Sequence, residues 1–215
     1  MRTEDVIIRL VESVRPVRPL APPIRRLGRW SAGAFAVTII GVAIIGTRPD
    51  SAVVARQLPF LTLAGMIIAT AVVAAAVTLV LAIPGAERSA IQRWAPLGFS
   101  GVWALMLVVS VLSAGSATDS ILALPVHAGC VIQIAALALL PGWGLFTMVR
   151  NAAPLQRGWS AGLATLAAVS LAAAGTQFIC PIDAPAHHLV GHFVPVAAFA
   201  CVGAWFGQHV LRRSN

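Results

Sequence analysis

Residues 60–83 read FLTLAGMIIATAVVAAAVTLVLAI, without one charged side chain. Crossing the hydrocarbon core of a bilayer takes about 20 residues of helix, so the stretch predicts a membrane span. It is not the stripe of an amphipathic helix in water, where polar residues return every turn. Working outward, the same reading repeats. Apolar blocks run over 30–46, 96–114, 126–148, 159–179 and 189–209, with charges nearly absent inside them, as a bilayer interior demands. The expected fold is an all-α integral membrane protein with six transmembrane helices and a short N-terminal helix in the cytoplasm.

Composition agrees. The chain is 59% hydrophobic and 10% charged, whereas soluble domains carry about 25% charged residues. A net charge of +8 raises the thought of nucleic acid, but the arrangement of the charge speaks against it. All basic residues are arginine. With the N-terminus inside, thirteen fall on the inner segments 1–29, 84–95, 149–158 and 210–215, and two, Arg48 and Arg56, on the outer loops. That bias orients both termini to the cytoplasm. The charged lead is too long for a signal peptide, and a multi-pass protein of a bacterial inner membrane is expected.

Three regions follow: 1–29, an N-terminal helix and proline-rich linker; 30–209, the six-helix domain; and 210–215, an arginine-rich tail. Over 3–14, Thr3 is placed to cap a helix whose first turn holds Glu4 and Asp5, where the dipole favours acids. Val6, Ile7, Leu10, Val11 and Val14 line one face. A helix of about twelve residues is marginal alone in water, so the stripe needs a partner: lipid headgroups, the protein's own inner surface, or a groove on a cytoplasmic protein. Pro16, Pro19, Pro22 and Pro23 make an extended spacer. Arg25, Arg26, Arg29 and Trp30 anchor the first span at the interface. Pro141 is expected to kink the fourth span, and the small residues of the fifth suit close packing.

Chemistry concentrates in Cys180-Pro181-Ile182-Asp183-Ala184-Pro185-Ala186-His187-His188-Leu189-Val190-Gly191-His192. The topology brings Cys180, at the outer end of the fifth span, to the same face and depth as Cys130, near the outer end of the fourth. His127 shares the helical face of Cys130. With Asp183, His187, His188 and His192 these are ligands suited to zinc, cadmium or copper. His188 and His192 stand at i and i+4 and are able to point the same way. The same residues also have plainer uses, cysteines as small apolar packing and histidines as solvated interface groups. Gln133 and Gln177 are expected to hydrogen-bond between helices, and Cys201 to pack in the core. An enzyme is not expected: there is no Cys-x-x-Cys, phosphate loop or His-Glu-x-x-His. A small metal or solute permease using the Cys/His cluster is the alternative. A haem held by His127 and His192 is a weaker one.

Thr3-Glu4-Asp5-Val6-Ile7, Pro16-Val17-Arg18-Pro19-Leu20-Ala21-Pro22-Pro23, and Cys180-Pro181-Ile182-Asp183-Ala184-Pro185 with His187, His188 and His192 resemble the NrsF family of six-span inner-membrane proteins. One departure stands: Gly191 precedes the last histidine, where the family often has tryptophan. The resemblance covers essentially the whole chain. It implies a membrane anti-sigma factor that sequesters an extracytoplasmic-function sigma factor through residues 3–14, with no direct contact to nucleic acid. It implies further that Cys130 and Cys180 sense heavy metal or oxidative stress by metal binding or disulfide formation. No cofactor is expected beyond a transient heavy-metal ion.

Overall fold

The computed structural model describes residues 3–13, 20–85, 89–114, 124–152 and 154–210, and every regular element among them is helical. Helix α1 is Thr3–Ser13, α2 Pro23–Ile45, α3 the single turn Ser51–Val54, α4 Leu58–Leu81, α5 Ala90–Ser113, α6 Leu124–Asn151 and α7 Arg157–Thr176. The last span joins α8 (Pro185–His187), a π-helical segment (His188–Phe193) and α9 (Val194–Val210). Six of these stretches are long and apolar enough to cross a membrane, and the chain is a multi-pass membrane protein. Val14, most of the proline-rich run and the arginine tail lie outside the described residues, as does the side chain of His127.

Hydropathy placed the start of the first span at Trp30, whereas α2 begins at Pro23. Proline suits the first helical position, where its missing N–H is not needed, and arginine is a good helix former, so the helix takes in Arg25, Arg26 and Arg29. Gly46 ends it at φ 101°, a left-handed conformation that a side chain would resist. Ser89 caps α5, its hydroxyl accepting from the Gln92 amide at 3.2 Å. Helix α6 continues through Pro141, whose carbonyl accepts from Trp30 Nε1 at 2.9 Å.

Helix α7 is the axis of the bundle, buried along nearly its whole length and packed by α2, α4, α6 and α9. Small residues make this possible. Gly158 and Gly162 of α7 face Ala204 and Gln208 of α9, and Gly203 and Gly207 of α9 face Thr165 and Ala161 of α7. A Cβ on Gly162 would stand 2.8 Å from that of Ala204. Two small-x-x-x-small pairs thus meet, the arrangement that lets membrane helices approach backbone to backbone. Gly175 does the same for α2: a Cβ there would lie 2.6 Å from Thr38 Cγ2. The periphery is apolar, with Ile40, Ile44, Leu112, Leu139, Trp143 and Trp205 all exposed. In water such a surface would aggregate; against acyl chains it costs nothing.

Candidate functional site

The site forms at the bundle end where α6 begins and α7 ends. Cys180 lies on the loop leaving α7, its amide donating to the Thr176 carbonyl at 2.8 Å. Cys130 lies in the first turns of α6. Their sulfurs are 3.5 Å apart and both thiols are free. His187 Nε2 stands 3.4 Å from Cys130 Sγ and 3.2 Å from Cys180 Sγ. His192 completes the group: one ligand atom from each of Cys130, Cys180, His187 and His192 falls within 4.8 Å of all the others. All four are buried, none more than 6% exposed.

The histidine pair is not the one that α-helical spacing picks. His188 and His192, at i and i+4, would share an α-helical face. The last span instead begins with a π-helical turn over His188–Phe193, where bonding runs from i to i+5. The wider turn carries His187 and His192 into the cluster and leaves His188 beside it, its ring centroid 4.9 Å from that of His192 and 6.1 Å from that of His187. Pro195 follows two residues beyond the segment, and a proline in a helix clashes with the carbonyl four residues back. That is a local reason for the ladder to widen here. The edge of Phe193 on Trp103, centroids 5.0 Å apart, holds the turn against α5.

Asp183 is not a member of the cluster. Its carboxylate takes a bidentate bond from Arg48, Nη1 to Oδ1 at 2.6 Å and Nη2 to Oδ2 at 2.7 Å. Arg48 also donates to both oxygens of Asp50, at 2.6 and 2.9 Å, and to the Cys180 carbonyl at 3.2 Å. Those bonds use all five guanidinium N–H groups. The Arg48 amide adds a bond to the Phe178 carbonyl at 2.9 Å. This residue, 5% exposed, pins the Cys180 loop to the end of α2. The sequence reading passed it over. Its one signal was that it is a rare outer-loop arginine with an aspartate two residues on. The hydrogen bonds from Arg48 hold the carboxyls of Asp183 and Asp50 below the usual aspartate range, and the two carboxylates hold the guanidinium charged. The Cys180 thiol is pushed down by hydrogen bonds, first from Cys130 and then from His187 and His192, against the opposing effect of burial.

Two further expectations change. Cys201 is exposed on the flank of α9 rather than packed. Gln177 is 1% exposed, yet neither atom of its amide has a hydrogen-bond partner among the described residues; Gln133 Oε1 also lacks one.

The donor set fits a metal ion. Ligands at 2.0–2.3 Å from a tetrahedral zinc stand roughly 3.3–3.8 Å from one another. The separations of 3.5 and 3.4 Å lie in that range and the third, 3.2 Å, falls just short of it, with all four ligand atoms within 4.8 Å of one another. Two thiols and two imidazoles are the soft and borderline ligands that select zinc or cadmium over magnesium or calcium.

Fold and site together define a multi-pass membrane protein with a buried thiol–imidazole cluster at one end of its helical bundle. The model of the NrsF family, described as negative regulator of sigma F, matches residues 10–212. The chain belongs to the NrsF family and is by that membership a negative regulator of a sigma factor. No curated protein and no solved structure matches it.

Proposed function

We propose that the protein is an inner-membrane anti-sigma factor for an extracytoplasmic-function sigma factor, released by a signal acting at Cys130 and Cys180. The observation that carries this is the buried cluster of two thiols and two imidazoles within 4.8 Å. Burying four polar groups in an apolar bundle costs free energy unless they pair or ligate, and the thiols and His187 stand close enough both to pair with one another and to share an ion.

Both termini lie in the cytoplasm on the strength of the arginine bias, so the cluster faces the periplasm. Helix α1 is then on the side of the sigma factor. Its Ile7, Ile8 and Val11 are exposed, an apolar face suited to a groove on a partner. Thr3, Glu4, Asp5, Val6, Leu10 and Val14 belong to the same docking segment.

Helix α2 links the two ends. Arg48, just beyond its C-terminus, is bonded to the Cys180 loop. At its N-terminal end Arg26 donates to the Met148 carbonyl and Trp30 to that of Pro141, both on α6, the helix of Cys130. Drawing Cys130 and Cys180 together therefore loads α2 through both attachments. A soft divalent cation supplies that pull by joining the four ligands. A peroxide-class oxidant acts on the same pair: the two sulfurs bond, and two electrons and two protons pass to the peroxide, which is reduced to water. Moving a two-state equilibrium from 99:1 to 1:99 takes about 5.5 kcal/mol, and thiolate–metal bonds reach beyond that. The protein acts by sequestration: it catalyses nothing, keeps no resident cofactor and does not touch nucleic acid.

The test is co-purification with the extracytoplasmic-function sigma factor of the same organism, comparing the full chain with one lacking residues 1–14. Retention by the first and loss by the second is expected. Equal retention by both would refute the docking segment, and no retention by either would refute the choice of partner.

A further inference from the structure

The cluster is buried on every side, so an ion that reaches it needs a route. A cavity lies beside it. A space of about 240 Å³ lies among α4, α5 and the loop beyond α7. At about 30 Å³ per water, that is room for an ion with its first hydration shell. Exposed Gln57 and Asp183 line it toward solvent and buried Gln177 toward the core. His188 forms part of its wall and stands between it and the cluster, 4.9 Å by ring centroid from His192.

Two features of the lining call for a ligand. The Gln177 amide is almost fully buried and both of its polar atoms lack protein partners. Such a group is uncommon in a folded protein and needs a physical reason. His188 Nδ1 is likewise unpartnered. The ligand is a cation by the chemistry of the wall. Among the described residues Asp183, ion-paired with Arg48, is the one formally charged residue lining it, and an amide oxygen, a hydroxyl (Ser110) and an imidazole nitrogen all offer lone pairs.

We propose that this cavity is the vestibule through which a hydrated divalent cation reaches Cys130, Cys180, His187 and His192. Gln177 replaces part of the hydration shell, and His188 is the staging ligand from which the ion passes inward. The proposal rests on the four-residue cluster being the sensing site, and it concerns the rate of loading rather than its extent.

Cadmium ion added to the full-length protein in detergent gives both readouts, because thiolate-to-cadmium charge transfer absorbs in the ultraviolet. The rate at which the band grows reports access, and its final height reports the cluster. Gln177→Leu removes the amide at similar volume, and Ser110→Trp fills the cavity from α5. Both are expected to slow the band by about tenfold or more, as a blocked approach lowers an association rate, while reaching the wild-type height. Wild-type rates in both variants would overturn the vestibule and leave the cluster intact. Absence of the band from the wild-type protein would overturn the sensing site, and the vestibule with it.

Discussion

Each side chain of the cluster has its own consequence. Cys130→Ser or Cys180→Ser leaves three ligands, and cadmium affinity is expected to fall by about 100-fold or more, since even residues outside the ligand set cost 10–100-fold. His192→Ala, which removes the ligand farthest along the π-helical turn, is expected to act in the same direction. Titration of charge-transfer absorbance measures all three. In cells the double cysteine variant is expected to keep repression and lose induction; a variant still induced by cadmium would remove these thiols from the sensing role. Asp183 and Asp50 carry the pH dependence. Their carboxyls titrate below the ordinary 3.8 because Arg48 bonds the ionised form. The stability they add is complete above that ordinary value and is lost as pH falls through their lower folded-state values. Thermal unfolding in detergent is expected to show the midpoint dropping through that acid window, and Asp183→Asn is expected to flatten the drop. Because the side chain of Asp183 is 59% exposed, solvent screens the pair, and the substitution costs about 1 kcal/mol at neutral pH.

Among the helices, the α7–α9 contact leaves least room for change. Gly207→Ala sets a Cβ against that of Ala161 and 3.1 Å from the Arg157 carbonyl. Overpacking of this kind costs on the order of 1–3 kcal/mol, and a lowered unfolding midpoint in detergent is the expected sign. Gly65→Ala, on α4 with no neighbour within 4 Å of the new atom, is expected to leave that midpoint unchanged or raised, alanine being the better helix former. Helix α1 fails in a different way. Ile7→Asp and Val11→Asp change exposed positions, so the fold is expected to survive while affinity for the sigma factor falls by about 10–100-fold, the usual effect of removing an apolar anchor. Pull-down against the wild-type chain reads the difference.

For the molecule as a whole, the question is how an event at the thiol–imidazole cluster reaches the segment proposed to hold the sigma factor. Helix α2 runs the length of the bundle between the two and is held at both ends by hydrogen bonds from arginine. Arg48→Gln loses the paired bonds to Asp183 and Asp50 but none of the four cluster ligands. It is expected to bind cadmium within a few-fold of the wild type while releasing little sigma factor on cadmium addition. Release at the wild-type level would show that the signal takes another path.

The sequence by itself determined the number of spans and the helical class, because hydrocarbon forces every backbone group into intrahelical bonds and leaves long apolar blocks as its mark. It also brought Cys130 and Cys180 to one end of the bundle, since counting spans decides which helix ends lie together. Other features depended on contacts between residues far apart in the chain. The choice of His187 over His188 required the π-helical turn, which no α-helical spacing reveals. The role of Arg48 required the Cys180 loop to fold back on the end of α2, across 132 residues of chain. The buried amide of Gln177, read from sequence as an interhelical hydrogen bond, took its meaning from a cavity, and a cavity exists only once helices have packed. Periodicity and hydropathy report what a residue prefers against solvent or lipid; which neighbours it meets is decided by packing.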